Sequence, residues 1–511
     1  MNFINKVFTV LFILLVFLSC NNSEIDNSKP NIIYFLADDL GYGETGIYGQ
    51  DKILTPNIDK LANNGIRFTQ HYSGAPVCAP ARCIFLTGKH SGHAYIRGND
   101  EWAERGDVWN YEKASSNPQL EGQRPLPTNT ITIGSELQKE GYITAIFGKW
   151  GLGAPDSEGT PNKQGFDYFY GYNCQRQAHN LYPPHLWEND KKVILNNQLV
   201  APGSKLDSLA DINNPASYSK FQQKDYAPDK IHEKSLTFLR ENKDKPFFMY
   251  YASPLPHLPL QVPKEDVKKY IETFRNEEPY IGNHGYFPNK YPRATYAAMI
   301  SKIDTQLGEL IESLKELGIY ENTIIIFSSD NGPTYLGGVD FEFFESSKPF
   351  SNAYGRTKGF VYEGGIRVPM IVSWPNKIHK SRVSNHISAF YDLMPTIFDI
   401  AGVTSTVETD GISFLPTLLN ENQKQHEFLY WEFPSYTGQQ AVRLGKWKGI
   451  RKNIFDGNMV IELYNLETDT LELNDVASEN SEIIRQMEEI MIEEHKTSII
   501  EKFKFKQLGD S

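Results

Sequence analysis

The sequence predicts an α/β fold: a large mixed, mostly parallel sheet sandwiched by helices, followed by a small C-terminal α+β subdomain built on an antiparallel sheet. Two observations predict it. From Pro30 onward, short apolar runs alternate with helix signals, and strands that alternate with helices form parallel sheets covered on both faces. After about Gly402 the chain instead carries four short strand-like segments in succession, which is typical of an antiparallel sheet.

The alternation begins with a strand over residues 32–36. A helix follows, because Thr55 can cap it, Pro56 suits its first position and Gly65 its end. Residues 66–68 are again predicted to be extended. The same order recurs downstream, with helices over 133–140 and 291–317 and strands over 143–147 and 323–327.

The C-terminal subdomain is expected over residues 406–511 and the catalytic domain over 30–405. The predicted elements of the C-terminal subdomain are four strands, at 429–431, 441–443, 447–450 and 461–464, and a helix from about Ser481 to Glu494. Three polar, aromatic-rich stretches are interpreted as loops or insertions, at 100–127, 182–226 and 263–292.

A charged and then apolar segment opens the chain. Lys6 precedes an apolar run over residues 7–18, which is too short to span a bilayer core of about 30 Å but has the length of a signal-peptide core. We therefore expect residues 1–19 to be a signal peptide and the protein to be exported. No later apolar run is long enough for a membrane span.

The end of this run resembles a bacterial lipoprotein signal, with Cys20 as the lipidated first mature residue and residues 20–29 as a polar linker. Phe17 departs from that pattern, which usually has Leu there. The expected location is the periplasm or the outer membrane of a bacterium, with membrane contact only through the lipid anchor. The alternative is an ordinary cleaved signal in which Cys20 is incidental.

The amino-acid composition excludes several classes of protein. The 511 residues are 40% hydrophobic and 22% charged, so a disordered or fibrous chain is excluded. A net charge of −12 disfavours a nucleic-acid binder, and we expect no nucleic-acid partner. Four cysteines are too few for a disulfide scaffold and match no structural zinc spacing.

Oxygen-bearing side chains follow two predicted strands directly. Asp38 and Asp39 come after the first strand, and Asp330 and Asn331 come after the strand at 323–327. In a parallel sheet both pairs emerge at one edge, and oxygen ligands without histidine or thiolate suit Ca²⁺ or Mg²⁺. The alternative is that these are ordinary turn residues.

The segment that begins at Cys78 carries Pro80 and Arg82, followed by Leu-Thr-Gly at 86–88. This resembles the sulfatase signature, in which the Cys of Cys-x-Pro-x-Arg is oxidised to formylglycine (3-oxoalanine). Cys83 lacks Pro and Arg at those offsets, so only Cys78 fits. A buried, inert thiol is the alternative.

Further motifs in the same order extend the resemblance to the type I sulfatase family, from about Pro30 to the C-terminal subdomain. They contain Lys149 in Gly-Lys-Trp, His257 in Ser-Pro-Leu-Pro-His, Lys358 in Gly-Arg-Thr-Lys and the glycine-rich segment 363–369. The fold that this resemblance implies is that of the alkaline phosphatase superfamily.

The resemblance also implies a set of roles. The metal, Ca²⁺ or alternatively Mg²⁺, would be held by the side chain at 78 and the oxygen-bearing residues Asp38, Asp39, Asp330 and Asn331. Lys149 and Lys358 would neutralise the sulfonyl oxygens, Arg82 would hold the modified side chain, and His257 would protonate the leaving oxygen.

One residue departs from the family pattern. The family usually has His after Gly-Lys-Trp, but this chain has Gly151. Another histidine could fill the space, a water could fill it, or the protein could be catalytically weak. His179 is our candidate for the replacement, and an ordinary loop histidine is the alternative.

The expected substrate is a sulfated sugar or polysaccharide from outside the cell, and the expected partner is a formylglycine-generating enzyme. Tyr182, Trp187 and the tyrosines of 168–172 would either stack on sugar or belong to the core. The competing functions are a phosphomonoesterase or phosphodiesterase on the same fold and a catalytically weak or inactive glycan-binding homologue.

Overall fold

The computed structural model describes residues 29–511. The predicted signal peptide, Cys20 and most of the linker therefore lie outside the described residues. No helix between residues 29 and 511 is long and apolar enough to cross a membrane.

The large sheet contains eleven strands. Their bounds are β1 (Asn31–Ala37), β2 (Ile66–Tyr72), β3 (Ile143–Lys149), β4 (Tyr168–Tyr172), β5 (His185–Glu188), β6 (Lys191–Ile194), β7 (Phe247–Ala252), β8 (Thr323–Ser329), β9 (Arg367–Ser373), β10 (Arg382–Ser384) and β11 (Ser388–Ala389). The smaller sheet has strands β12 (Leu429–Phe433), β13 (Gln439–Leu444), β14 (Trp447–Lys452) and β15 (Ile461–Asn465).

The helices alternate with these strands as the sequence predicts. Their bounds are α1 (Pro56–Asn63), α2 (Cys78–Thr87), α3 (Tyr111–Ser116), α4 (Ile133–Lys139), α5 (Ala227–Asn242), α6 (Lys264–Thr273), α7 (Pro292–Glu316), α8 (Glu363–Ile366), α9 (Leu393–Ala401), α10 (Leu415–Leu419) and α11 (Ser481–Glu493).

The predicted fold class is confirmed. The strand order is β10-β2-β9-β8-β1-β7-β3-β4-β5-β6, with β11 beside β2. The five central strands, β8-β1-β7-β3-β4, are mutually parallel, whereas β9 runs antiparallel to both of its neighbours. The smaller sheet is antiparallel throughout.

Helices cover both faces of the large sheet, so β1 is buried along its whole length. Its even residues, such as Ile32 and Tyr34, pack with α2, α4 and α9, and its odd residues, such as Ile33 and Phe35, pack with α1, α5 and α7. A strand buried on both faces has a continuous apolar sequence and not an alternating one, which explains the run at 32–36.

The interpretation of three polar stretches as loops is wrong in part, because each contains regular structure. Residues 100–127 include α3, 182–226 include the β5–β6 hairpin, and 263–292 include α6. The two helices, α3 and α6, cover the edge of the core with one face only. In α6 just Val267 and Tyr270 are buried, which is too few apolar residues for a clear helical pattern in the sequence.

The smaller sheet packs on the large domain through one face and carries α11 on the other. Trp431 of β12 belongs to the main core, and its Nε1 donates a hydrogen bond to the Ser73 carbonyl, 2.8 Å away. Met487 and Met491 of α11 contact the opposite face. The domain boundary predicted near residue 405 stays a prediction.

A buried ionic group joins the two sheets. The Lys448 ammonium lies 2.8 Å from Glu363 and 3.1 Å from Glu472, and all three side chains are fully buried. Although burial alone would raise it, Lys448, Arg367 and Arg443 hold the pKa of Glu363 at about 2. Burial raises the pKa of Glu472 to about 7. Lys448 is therefore the cation that the two carboxyl groups share.

Replacing Lys448 by Ala is expected to reduce the free energy of unfolding by about 3–5 kcal/mol, because it leaves the buried Glu472 without a cation and Glu363 with only Arg367 at ion-pair distance. Urea denaturation measures the effect. Lys446→Ala is the control, since Lys446 is exposed two residues earlier and should change stability by no more than about 0.5 kcal/mol. Equal losses in the two variants would show that the buried ionic group is not what joins the sheets.

Candidate active site at the carboxyl edge of the sheet

Four adjacent parallel strands end at the candidate site, and each delivers a polar side chain. Asp38 follows β1 and Asp330 follows β8, and the last residues of these strands are paired in register. His257 lies in the loop after β7, and Lys149 is the last residue of β3. The carboxyl edge of a parallel sheet is where ligands bind in open α/β folds.

Cys78 faces this edge as the first residue of α2. Its Sγ donates a hydrogen bond to Asp38 Oδ1, 3.4 Å away. Burial and the charge of Asp38 raise the pKa of the thiol to about 12, so the unmodified thiol is protonated and a poor nucleophile. The amino end of a helix favours negative charge, which suits an anionic group beside residue 78.

Two lysines converge on Cys78, one from the end of β3 and one from the loop before α8. The Lys149 Nζ lies 2.6 Å from Asp38 Oδ2 and 3.5 Å from Cys78 Sγ. The Lys358 Nζ lies 2.6 Å from Asp39 Oδ2 and 3.8 Å from the same sulfur. Both ammonium groups are therefore placed to contact an anion bound at residue 78.

The position of Lys149 depends on Gly148. This residue has φ of 119°, and a Cβ on it would lie 1.8 Å from the carbonyl oxygen of Ala252. Only glycine allows β3 and β7 to approach this closely while the backbone turns Lys149 into the site.

Arg82 is fully buried and forms hydrogen bonds beneath the surface of the site. One of its guanidinium nitrogens lies 2.9 Å from Asp330 Oδ2, and another donates to the Lys149 carbonyl, 2.6 Å away. The side chain thus links the helix of Cys78 to two strand ends. These contacts agree with a positioning role.

His257 has a defined orientation. Its Nδ1 donates to the Leu258 carbonyl, 2.7 Å away, so Nε2 carries the lone pair and lies 3.7 Å from Asp39 Oδ2. Burial and the charges of Lys149 and Lys358 hold the pKa of His257 well below its usual value. The ring is therefore neutral in the free protein.

His179 reaches the site. Its ring stacks on His257, with ring centroids 5.1 Å apart and an interplanar angle of 17°. Tyr286 lies 5.3 Å from His179 on another side. A Cβ on Gly151 would lie within 2.5–2.8 Å of the Gln175 side chain, so Gln175 packs against Gly151, and the replacement of the missing histidine by His179 stays a prediction.

Sequence reasoning missed Gln175 and Tyr286. Gln175 follows Cys174 in a polar stretch, and Tyr286 lies in a stretch interpreted as a loop. Neither position carries a motif, because each joins the site only through the path of its loop. The suggested sugar-stacking aromatics are instead largely core residues: Phe169, Tyr170, Tyr172, Tyr182 and Trp187 are all buried.

The acidic residues fit a divalent cation. Asp38, Asp39, Cys78 and His257 each have a ligand atom within 4.8 Å of the others. Asn331 Nδ2 donates to Asp39 Oδ1, 2.8 Å away, whereas its buried Oδ1 has no hydrogen-bond partner. An unsatisfied buried carbonyl oxygen beside carboxylates is a ligand group for a hard cation.

The carboxyl pKa values support the same interpretation. Burial and the charge of Asp38 raise the pKa of Asp330 to about 7, and burial raises that of Asp39 as well. Although burial alone would raise it, the charges of Lys149 and Arg82 hold the pKa of Asp38 below its usual value. Crowded carboxyl groups that resist ionisation are stabilised as anions by a bound cation.

A second group of metal-ligand types, His90, His93 and Glu494, lies between the two sheets. The Gly92 N–H donates to His90 Nδ1, 3.1 Å away, so His90 Nε2 carries the proton and donates to Glu494, 2.8 Å away. A protonated nitrogen cannot ligate a metal. We interpret this group as a hydrogen-bonded contact between the sheets.

Comparison with known proteins agrees with this geometry. A family model described as Sulfatase matches residues 30–403, and one described as N-sulphoglucosamine sulphohydrolase, C-terminal, matches residues 355–497. Human arylsulfatase A is 29% identical over 441 residues, covering 82% of this chain and 74% of the relative. The N-acetylgalactosamine-6-O-sulfatase of Bacteroides thetaiotaomicron is 27% identical over 519 residues, covering 91% of this chain and 93% of the relative.

Solved structures share the whole fold. The crystal structure of Ps i-CgsB is 27% identical with a TM-score of 0.69, covering 92% of this chain and 94% of that one. The phosphonate monoester hydrolase of Agrobacterium radiobacter has a TM-score of 0.60 at 19% identity, covering 91% and 95%, and it shows the fold alone. The family match over most of the chain sets aside the phosphoesterase and the inactive glycan-binding alternatives. The chain belongs to the sulfatase family, within the alkaline phosphatase superfamily, and is an enzyme that hydrolyses sulfate esters.

Proposed function

We propose that this sulfatase removes sulfate from a sulfated carbohydrate by means of a formylglycine at residue 78 and one divalent cation, Ca²⁺ before Mg²⁺. The observation that carries the proposal is the approach of Lys149 and Lys358 to Cys78 at the amino end of a helix, opposite three buried carboxyl groups. This arrangement is suited to an anion next to a cation.

The modification supplies what the thiol lacks. Formylglycine at residue 78 would, in its hydrated form, supply two hydroxyl groups on one carbon: one oxygen would be suited to attack at sulfur as the bond to the leaving oxygen breaks, and loss of the proton from the other would reform the aldehyde as the bond from carbon to the sulfated oxygen breaks. The Cys78 Sγ stands where these oxygens would lie. A buried thiol with a raised pKa would be a poor substitute, which supports conversion by a formylglycine-generating enzyme.

The chain's own cations bind the sulfate oxygens. Lys149 and Lys358 each lie within reach of both a carboxylate and the residue 78 side chain. They can turn from carboxylate to sulfate oxygen without leaving the site, and there they stabilise the charge that develops during transfer. The metal would be held by Asp38, Asp39, Asp330 and Asn331, where it would polarise the nucleophile and the sulfate.

His257 is suited to protonating the leaving oxygen once substrate is bound. Two lysines depress its pKa in the free protein. An anionic sulfate ester opposes their field, which favours uptake of a proton at Nε2, the nitrogen directed at the site. The proton is then available to the leaving oxygen.

Similarity supports a carbohydrate substrate. The relative from B. thetaiotaomicron is named for N-acetylgalactosamine 6-O-sulfate, and Ps i-CgsB has been solved with k-i-k-neocarrahexaose at 26% identity to this chain. Export through residues 1–19 and anchoring at Cys20 would place this enzyme where extracellular glycans are available, in the periplasm or at the outer membrane.

Cys78→Ala is expected to abolish sulfate release without loss of folding, because it removes the precursor of the nucleophile. Cys78→Ser should be nearly as poor, since serine cannot release sulfate by reverting to an aldehyde. Turnover of 4-nitrophenyl sulfate measures both. Cys83→Ala is the control, because Cys83 lies on the same helix outside the motif, and it should retain activity.

The mass of the tryptic peptide that ends at Arg82 tests the modification directly. In the active enzyme the –CH₂–SH side chain of residue 78 is expected to be replaced by –CHO, that is, by oxygen in place of sulfur with two hydrogens fewer. An unmodified thiol in fully active protein would contradict the formylglycine proposal.

Purified enzyme is expected to contain one equivalent of Ca²⁺, and Asp330→Asn should weaken Ca²⁺ binding by at least about tenfold because it removes a ligand charge. Elemental analysis and calcium titration measure this. Glu494→Gln, in the second group of ligand types, should leave the metal content unchanged. Zinc at full occupancy with activity intact would show that the assignment is wrong.

His179→Ala is expected to lower turnover at least about tenfold with both 4-nitrophenyl sulfate and a sulfated sugar, because His179 packs against the proton donor. His179→Phe separates two roles: recovery would indicate that ring packing orients His257, and continued loss would indicate that the imidazole itself transfers protons. Loss confined to the sugar would make His179 a substrate contact.

A further inference from the structure

A wide groove borders the candidate site. We call it the tyrosine groove and define it by Tyr280, Arg293, Tyr335, Tyr354 and Tyr436, which are among its lining residues. Its cavity volume is about 980 Å³, at the upper end of the range of about 300–1,000 Å³ for small-molecule pockets. A single sulfated sugar in the sulfate pocket would leave this groove unfilled.

Two of the tyrosines present their rings to solvent. The exposed fraction is 74% for Tyr354 and 50% for Tyr436. Tyr354 is held edge-on against Tyr335, with centroids 5.0 Å apart, and Tyr436 packs on Phe360, with centroids 5.5 Å apart. Exposed aromatic rings held in place by other rings offer flat apolar faces at little cost in side-chain entropy.

The groove is continuous with the catalytic machinery. The Lys358 backbone N–H donates a hydrogen bond to the Pro333 carbonyl, 3.2 Å away, two residues before Tyr335 of the groove. On the same wall, the backbone at Gly337 packs so closely that a Cβ there would lie 2.6 Å from Leu258 and 2.9 Å from Tyr286. Tyr286 in turn contacts both site histidines.

The charges of the groove do not suit a second sulfate. Among the described residues that line it, Arg293 is the sole lysine or arginine, and its guanidinium is paired with Asp340, 2.6 Å away. Glu277 and Glu278 also line the groove. A lining with three carboxylates and one paired cation repels anions, whereas hydroxyl groups and apolar sugar faces are accepted.

We propose that the tyrosine groove binds the uncharged sugars next to the sulfated residue, so that the substrate is a sparsely sulfated oligosaccharide or polysaccharide chain. Tyr354 and Tyr436 stack on these sugars, and Lys358 marks the junction between the groove and the sulfate pocket. This inference rests on the proposed carbohydrate sulfatase function and specifies its substrate class.

The test compares small and extended substrates. Tyr354→Ala and Tyr436→Ala are assayed with 4-nitrophenyl sulfate, with N-acetylgalactosamine 6-sulfate and galactose 4-sulfate, and with hexasaccharides from κ-carrageenan, in which uncharged anhydrogalactose lies next to each sulfated galactose. Each variant should raise KM for a hexasaccharide roughly threefold to tenfold, the scale of one aromatic contact. Constants for 4-nitrophenyl sulfate should not change, and Tyr354→Phe should restore the wild-type KM because it keeps the ring.

Tyr320→Ala is the matched control. Tyr320 lines a different cavity and precedes β8 at the opposite edge of the sheet. It should leave every constant unchanged.

Three outcomes would overturn the proposal. The first is that the wild-type enzyme hydrolyses the monosaccharides at least as well as the hexasaccharides, or that no hexasaccharide is a substrate or an inhibitor of the wild-type enzyme. The second is an unchanged KM for hexasaccharides in both alanine variants. The third is an equal loss with 4-nitrophenyl sulfate, which would assign the tyrosines to the sulfate pocket. Failure of the wild type on every sulfate ester would instead contradict the proposed function itself.

Discussion

The structure depends on how negative charge is held at the carboxyl ends of β1 and β8. Asp38, Asp39 and Asp330 lie there with almost no exposure to solvent. Burial of one ionised carboxylate without compensation is costly, and three together repel one another. Lys149, Lys358 and Arg82 supply three compensating cations from three separate segments, so the charged centre ties these segments together.

The surrounding fold lowers the free-energy cost of burying these charged groups. Parallel strands bring side chains from distant parts of the sequence to one edge, and helices on both faces exclude water from it. In this low-dielectric setting each ion pair is stronger than it would be at the surface. The same cations that neutralise the carboxylates are therefore available, at short range, to an anionic substrate.

Loop residues provide the contacts with substrate beyond its sulfate group. The residues after Asn331, the segment before Lys358 and the turn at Tyr436 in the smaller sheet meet beside the site. Their tyrosines belong to no repeated pattern, and their role follows only from exposure and position. The C-terminal region thus contributes both packing, through Trp431 and Lys448, and one wall of the tyrosine groove.

The sequence alone determined the fold class, most central strands and helices, and the chemistry of the site. Cys78, Pro80 and Arg82 indicated modification through their spacing, and Asp38 and Asp330 indicated an edge of the sheet because each follows an apolar run. These are local signals, set by hydrogen-bonding periodicity and by the few residue types that each chemistry requires.

Only the tertiary structure decided which loops meet. That Gln175 fills the space beside Gly151, that His179 stacks on His257, and that Tyr168–Tyr172 is a core strand and not a sugar platform all depend on long-range packing. Helices α3 and α6 escaped prediction for a related reason: they bury one narrow face at the edge of the core, so their sequences carry little periodic signal. Local patterns specify elements, whereas contacts between distant loops follow from how the elements pack.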